Sequence, residues 1–309
     1  MELIVIIPAF NEERTIANVI QEIPKIISGI TDIKILVIDD GSTDNTAINA
    51  IKAGADKILH HKQNKGLAKT FRDGLNCALE MGADIIVNTD ADFQYNGTEI
   101  PKLIAPIIQG RADIVLGDRE IDNLDHMPLG NLWGNKFATQ IIRWITRLPI
   151  KDAQTGFRAF SREAALRMNL TGDYTYTQET IIQAANKHLK IEQIPVEFRK
   201  RQGKSRLISN IFRYASFAGV TIFRSFGAYH PFVIFSVIGF GCILLGLIFG
   251  FRVITHFLKT GMVTPYIPSA LLTTVLVIVG SLAILFGLLA DMIRTQRMLA
   301  EEILYRLKK

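Results

Sequence analysis

Over the first 200 residues, short apolar runs alternate with segments whose apolar positions recur at helical spacing. Leu3–Ile7, Ile33–Ile38, Lys57–Leu59, Ile85–Asn88 and Asp113–Leu116 read as strands, too short for helices and bounded by turn residues. Between them, Thr15–Ile27, Thr43–Lys52, Leu67–Glu80 and Glu99–Ile108 read as helices. This βαβα order predicts an α/β fold, a mostly parallel sheet with helices on both faces. Ligands of such sheets bind beyond the carboxyl ends of the strands.

The pattern changes after residue 204. Leu207–Phe226 mixes apolar residues with Arg213 and Arg224, as a helix lying in a membrane interface would. Phe232–Phe251 and Ser269–Ala290 then run 20 and 22 residues without a charge. About 20 such residues, rising 1.5 Å each, cross a hydrocarbon core of roughly 30 Å. The expected organisation is a cytoplasmic domain over 1–204, amphipathic helices over 205–230, a transmembrane hairpin over 231–291 and a cytoplasmic C-terminal helix over 292–309. Gly246 and Gly250 form a GxxxG pair, which points to helix packing or to a homo-oligomer through the hairpin.

Charge orients this arrangement. Twelve Lys and Arg flank the hairpin on its two outer sides, from Arg199 to Arg224 and from Arg294 to Lys309, against only Arg252 and Lys259 between the spans. Excess basic residues stay inside, so both ends of the hairpin are expected in the cytoplasm of a cell-membrane protein. No basic stretch precedes Leu3–Ile7, which is too short for a signal peptide, so the N-terminal domain is expected there too. Residues 199–309 carry 14 Lys and Arg against three Asp and Glu, whereas residues 1–198 carry 21 against 26. The overall +6 is thus a property of the tail, which excludes a nucleic-acid reading based on basicity. Two cysteines, Cys77 and Cys242, build neither a disulfide scaffold nor a metal cluster.

Chemistry concentrates at the strand ends. No GxGxxG follows the first strand and no GxxxxGK[ST] occurs anywhere. The first strand instead runs into Pro8-Ala9-Phe10-Asn11-Glu12-Glu13, the second into Asp39-Asp40-Gly41-Ser42-Thr43-Asp44, and the fourth into Asp90-Ala91-Asp92-Phe93-Gln94. Glu12, Asp40, Asp90 and Asp92 therefore meet at one sheet edge, where carboxylates repel unless a cation or hydrogen-bond donors sit among them. An Asp-x-Asp turn offers oxygen ligands to Mg²⁺ or Mn²⁺ and leaves positions for substrate phosphates. Taken singly, the first acidic motif also reads as a polar turn with a helix cap and the second as a solvated loop. His60 and His61 lack metal-ligand spacing and read as loop residues, and Lys65-Gly66 reads as a turn.

These three motifs resemble the family-2 glycosyltransferases. Asp152-Ala153-Gln154-Thr155-Gly156-Phe157-Arg158, Pro195-Val196-Glu197-Phe198, Arg201 and Gly203-Lys204-Ser205-Arg206-Leu207 resemble the subgroup of dolichyl- and polyprenyl-phosphate sugar synthases. The resemblance covers residues 1 to about 230 and implies the type-A glycosyltransferase fold, followed here by the interfacial helix and the two-helix hairpin. It implies that Pro8, Ala9, Glu12 and Asp40 hold the nucleoside, joined on the nucleotide-sugar side by Asp90, Ala91 and Arg201. It further implies that Asp90, Asp92 and Gln94 hold Mg²⁺ or Mn²⁺ and, through it, the donor diphosphate. Arg119, Arg201 and Ser205 would receive the acceptor phosphate. Asp118 stands where the subgroup usually has Ser before the Arg equivalent to Arg119.

The implied reaction transfers one sugar from GDP-mannose, or from UDP-glucose or UDP-N-acetylglucosamine, to dolichyl or polyprenyl phosphate at the bilayer. A phosphate monoester is already anionic at pH 7, so the nucleophile needs no strong general base. Asp92, Asp152 and Arg119 are the catalytic candidates, with Asp152 orienting sugar or phosphate or else capping a turn. Tyr176, Gln178 and Glu179 lie further along the same acceptor-side stretch, but the sequence alone does not promote them to site residues. Gln140-Ile141-Ile142-Arg143-Trp144 spells the QxxRW of processive synthases, but it lacks that motif's acidic companion upstream and reads as a coincidence on an amphipathic helix. Two other readings stay open: a transferase for another lipid or polysaccharide acceptor, and a silent glycosyltransferase-like membrane subunit.

Overall fold

The computed structural model of the chain describes residues 1–121, 129–170, 172, 176–200, 227 and 231–309. It divides near residue 224 into two compact units. The first is built on a seven-stranded sheet of order β3-β2-β1-β4-β6-β5-β7. Its strands are β1 (Glu2–Ala9), β2 (Asp32–Asp39), β3 (Lys57–His60), β4 (Ile85–Asn88), β5 (Ile114–Asp118), β6 (Arg158–Ser161) and β7 (Ile191–Pro195). The helices are α1 (Ile16–Glu22), α2 (Thr46–Ala53), α3 (Leu67–Glu80), α4 (Ile100–Ile108), α5 (Leu129–Thr146), α6 (Arg162–Arg167) and α7 (Thr177–Asn186).

The five expected strands are all present, and β3, β2, β1 and β4 pair in parallel. Two strands escape the periodicity. The four-residue β6 inserts antiparallel between β4 and β5, and the half-buried β7 closes the far edge parallel to β5. The antiparallel insertion decides the site. Arg158, the first residue of β6, lies opposite Asn88, the last of β4. The loop that enters β6 therefore arrives at the edge where β4 and β5 end.

β1 lies inside the sheet, between β2 and β4, and nearly its whole length is apolar and buried. Leu3, Val5 and Ile7 pack with Ile16, Val19 and Ile20 of α1 and Leu103, Ile104 and Ile107 of α4 on one face. On the other face α3 approaches so closely that a Cβ on Gly74 would lie 2.7 Å from Ile38 Cδ1. Each buried Leu, Ile or Val of this kind contributes about 1.5–3 kcal/mol.

The second unit contains α8 (Pro231–Thr260) and α9 (Ile267–Lys308), of 30 and 42 residues. Only 17% and 11% of their most apolar stretches are buried, unlike the core helices of a water-soluble domain, and both are long and apolar enough to cross a membrane. α8 runs nine residues past the expected end of the first span, and α9 joins the expected second span and C-terminal helix into one. The two helices meet at glycines. A Cβ on Gly239 would lie 2.6 Å from the carbonyl oxygen of Gly280, and one on Gly280 equally close to that of Gly239. Gly246 and Gly250 face Leu276 and Thr273 in the same manner. The GxxxG pair is thus spent on packing α8 against α9.

Candidate active site

The loops leaving β1, β4 and β5 each hold a non-glycine residue in the left-handed region: Asn11 (φ 55°), Phe93 (φ 64°) and Glu120 (φ 46°). Each such residue costs on the order of 1–3 kcal/mol and persists only where surrounding contacts impose it. At β1 those contacts are visible. Asn11 Oδ1 accepts from Thr43 N at 2.8 Å, Asn11 N donates to Ser42 Oγ at 2.9 Å, and Glu12 N donates to Thr46 Oγ1 at 2.8 Å. The first two acidic motifs are therefore stitched into one rim, with the Glu12 carboxylate accepting from Thr15 Oγ1 at 3.3 Å. Pro8 and Ala9 are buried at the end of β1, which limits any contact from them to the backbone.

Asp40 is only 3% exposed, and its carboxylate is already engaged inside the protein. One oxygen accepts from Lys65 N and lies 2.8 Å from His61 Nδ1, while the other accepts from Gly66 N at 3.0 Å. Asp39 does the same with His60 Nδ1, at 2.9 Å, and with Ser42 N. His61 is buried, and its Nε2 lies 3.2 Å from Asp73 Oδ2 but off the line of a hydrogen bond. The expectation that the histidines are plain loop residues is corrected: buried His61 pairs with Asp40, and His60, exposed at the end of β3, pairs with Asp39. The signal was available in register, since parallel pairing sets His60 directly opposite Asp39.

At the end of β4, Asp90 and Asp92 are partly exposed, while the methyl of Ala91 turns into the core and leaves only its backbone for ligand contact. Asp92 Oδ1 accepts from Gln94 N at 3.2 Å. The Gln94 side-chain nitrogen donates to Arg199 O at 3.3 Å, so its oxygen is the atom left to ligate a cation. Arg199, expected as a membrane-surface charge, instead pairs with Glu22 at 2.8 Å and stacks over Phe93 at 5.0 Å. It holds the chain after β7 against the β4 loop.

The loop into β6 carries Asp152, 1% exposed, to Arg119 at the end of β5. The pair is bidentate, with Arg119 Nε to Asp152 Oδ2 at 2.6 Å and Nη2 to Oδ1 at 3.0 Å. Burial would favour neutral forms of both groups. Their mutual attraction outweighs it, raising the pKa of Arg119 and holding Asp152 below the usual carboxylate range. Asp90 is near enough to add to the stabilisation of the Arg119 charge. The guanidinium also lies 5.1 Å over the ring of Phe198. Asp152 accepts from Gln154 N as well, so it caps its turn while it fixes Arg119. Asp118, where Ser was expected, caps the next turn by accepting from Glu120 N at 3.0 Å.

Behind this edge lies a buried polar layer that sequence reasoning did not anticipate. Arg158 is fully buried and donates to the carbonyls of Ala153, Thr155 and Thr177 and to Thr180 Oγ1. Burial lowers its pKa to about 10. Tyr176 stacks on Phe71 with centroids 3.9 Å apart and accepts from Asn88 Nδ2. Glu179 accepts from Gly172 N and Gln183 Nε2. Tyr176, Gln178 and Glu179 are all buried, so they belong to this supporting layer rather than to an open acceptor wall. In the QxxRW segment on α5, Arg143 donates to the carbonyl of Ile150 and Trp144 is 72% exposed. Arg201 and Ser205 lie outside the described residues.

Residues 4–167 match the family described as glycosyl transferase family 2. The chain belongs to glycosyl transferase family 2. It is therefore a glycosyltransferase. It is 33% identical, over 62% of its length and 83% of the relative's, to the UDP-N-acetylglucosamine–dolichyl-phosphate N-acetylglucosaminyltransferase of Methanococcus voltae. With the glycosyltransferase AglJ of Haloferax volcanii it shares 28% identity over 94% of this chain and 92% of that one, a match that includes the second unit. Among solved structures, glucosyl-3-phosphoglycerate synthase from Mycobacterium tuberculosis, in complex with Mn²⁺, UDP-glucose and phosphoglyceric acid, superposes with a TM-score of 0.60 at 22% identity. That superposition covers 73% of this chain and 80% of the other, and it supports the type-A glycosyltransferase fold.

The donor atoms of this family-2 site suit a hard divalent cation. Asp90 and Asp92 supply carboxylate oxygens on one turn, and Gly156 faces Asp90 with no side chain in between. Among the described residues no three His, Cys, Asp or Glu side chains converge as a closed metal cage. Mg²⁺ typically binds through one or two carboxylates plus substrate phosphates and water, and the donor set at Asp90 and Asp92 fits that mode.

Proposed function

We propose that this family-2 enzyme transfers a single sugar from a nucleotide sugar to dolichyl or polyprenyl phosphate, with inversion, at the cytoplasmic face of a membrane. The observation that carries the reading is the buried, bidentate Arg119–Asp152 pair beside the Asp90–Asp92 turn. A guanidinium held charged next to carboxylates suited to a cation is what an anionic acceptor and a diphosphate leaving group require. Helices α8 and α9 would anchor the chain where such a lipid resides, with residues 1–204 on the cytoplasmic side.

In this reading Asp90 and Asp92, with the Gln94 oxygen, would hold Mg²⁺ or Mn²⁺ on the donor side of the site. The cation, when bound, offsets the charge that develops on the departing diphosphate. The Glu12 and Asp39-Asp40 rim receives the nucleoside, with Asp40 shaping the Lys65-Gly66 turn from within. Arg119 receives the acceptor phosphate, aided by Arg201 and Ser205. An acceptor oxygen attacks C1 of the sugar as the bond from C1 to the diphosphate breaks, and the leaving group takes the electron pair. Asp152 is buried, ionised and paired, so it orients Arg119 and transfers no proton. Positioning then carries the catalysis. UDP-N-acetylglucosamine, UDP-glucose and GDP-mannose are the donors to try.

Purified full-length protein in detergent, given radiolabelled donor and Mn²⁺, should label polyprenyl phosphate and leave polyprenol and diacylglycerol unlabelled. Equal labelling of polyprenol would remove the case for an acceptor phosphate at Arg119.

A further inference from the structure

Gly156 has an ordinary backbone conformation, outside the left-handed region that would call for glycine. Its lack of a side chain serves space instead. A Cβ there would lie 2.7 and 2.8 Å from the two carboxylate oxygens of Asp90 and 3.0 Å from its Cγ. The volume that any other residue would fill is the volume the carboxylate occupies.

The Gly156 peptide is itself pinned from both sides. Its N–H donates to Tyr95 Oη at 2.8 Å, and its carbonyl accepts from Asn88 Nδ2 at 2.7 Å, both bonds buried. Asn88, Asp90 and Tyr95 all belong to the end of β4 and its loop, so one short stretch of chain holds the Gly156 peptide by two hydrogen bonds and lays the Asp90 carboxylate against its bare Cα. Tyr95 is 4% exposed and wedged between two rings, stacked on Phe157 and tilted against Phe198, with centroids 5.2 Å from each. Burial pushes its hydroxyl pKa up to about 12, so it remains a protonated phenol. Four residues before Gly156, on the same loop, Asp152 holds Arg119.

We infer that Gly156, Tyr95 and Asn88 are positioning residues that seat the Asp90 carboxylate for a divalent cation. The inference rests on the proposed metal site and adds to it the residues that set the direction of its first ligand. The clamp also joins the cation side and the acceptor side of the site into one rigid piece, because the Asp152–Gly156 loop serves both. Partners that orient a metal ligand without touching the metal are typically worth about 10–100-fold in metal affinity.

The test is Mn²⁺ binding to the full-length protein in detergent, with UDP or GDP present, read from the loss of the free Mn²⁺ paramagnetic resonance signal. Tyr95→Phe keeps both ring contacts and deletes only the oxygen that receives the Gly156 N–H. It should weaken Mn²⁺ binding about 10-fold in a protein that still unfolds cooperatively, with the tryptophan-detected midpoint lowered because the buried Gly156 N–H loses its acceptor. Gly156→Ala should weaken it by about 100-fold, the upper end of the same range. Should Gly156→Ala fail to fold, Tyr95→Phe decides the matter alone. Parental Mn²⁺ affinity in folded Tyr95→Phe and Gly156→Ala would overturn the inference and leave the metal site standing. Absence of Mn²⁺ binding by the parent protein with either nucleotide would overturn the metal site and the inference with it.

Discussion

Replacing Asp152 by Ala would leave the Arg119 guanidinium buried without its carboxylate. The side chains of Asp152 and Arg119 are 1% and 10% exposed, so bulk water only partly compensates for the lost partner. Removing one member of a buried pair typically costs about 3–5 kcal/mol. Arg119 retains its contact with Phe198 and the nearby charge of Asp90, which places the expected loss at the lower end, about 3 kcal/mol. For a unit of this size that is a fall of roughly 6–12 °C in the unfolding midpoint. Both tryptophans, Trp133 and Trp144, lie on α5, so their fluorescence follows the sheet-bearing unit rather than the helical one. The double variant Arg119→Met with Asp152→Ala should regain much of the loss, because it buries no lone charge. Acidity gives a second signature. The folded pKa of Asp152 is depressed, so its contribution is complete above about pH 4 and is lost as pH falls through the folded value. The gap between parent and Asp152→Ala should stay constant from about pH 8 to pH 5 and close only below about pH 4. A single variant as stable as the parent, or a gap that changes between those neutral values, would refute the buried-pair argument.

Further outcomes follow from other contacts. Asp92→Asn should abolish Mn²⁺-dependent transfer while the unfolding midpoint stays within a few degrees of the parent; retained turnover would remove Asp92 from the metal side. His61→Ala deletes the buried partner of Asp40 and should cost about 1–3 kcal/mol in tryptophan-detected unfolding, a loss under 0.5 kcal/mol counting against the Asp40–His61 bond. In the second unit, a Cβ on Gly250 would lie 3.9 Å from Thr273 Cβ, which suits a disulfide. The pair Gly250→Cys and Thr273→Cys, in a background with Cys77 and Cys242 replaced by Ser, should oxidise within one chain and migrate faster on a denaturing gel. Failure to cross-link would contradict the α8–α9 packing.

Much of this architecture is legible from the residues. Long apolar runs such as Leu3–Ile7 reveal central strands, and the charge-free stretches reveal α8 and α9. The acidic strand-end motifs reveal which edge carries the chemistry. What stays hidden is order across the sheet. Nothing local in Arg158–Ser161 signals an antiparallel strand between β4 and β5, because four residues make no pattern and pairing partners are set by the tertiary fold. That strand is what brings Asp152 to Arg119 and Gly156 to Asp90. Asp40 shows the opposite difficulty: its motif is conspicuous, yet its lone pairs are claimed by residues 21 and more positions away. A buried arginine satisfied by carbonyls, as Arg158 is, gives no sequence signal, since arginines are ordinarily at the surface.

The central claim is that an acceptor phosphate on a polyprenyl lipid receives one sugar. Its most direct test is mass spectrometry of polyprenyl phosphate after incubation with the purified full-length chain and Mn²⁺, in separate reactions with UDP-N-acetylglucosamine, UDP-glucose and GDP-mannose. The account predicts a gain of a single N-acetylhexosamine or hexose with one of these donors, and none when Mn²⁺ is chelated. Unchanged lipid with every donor, from a sample that binds Mn²⁺ and unfolds cooperatively, would contradict it.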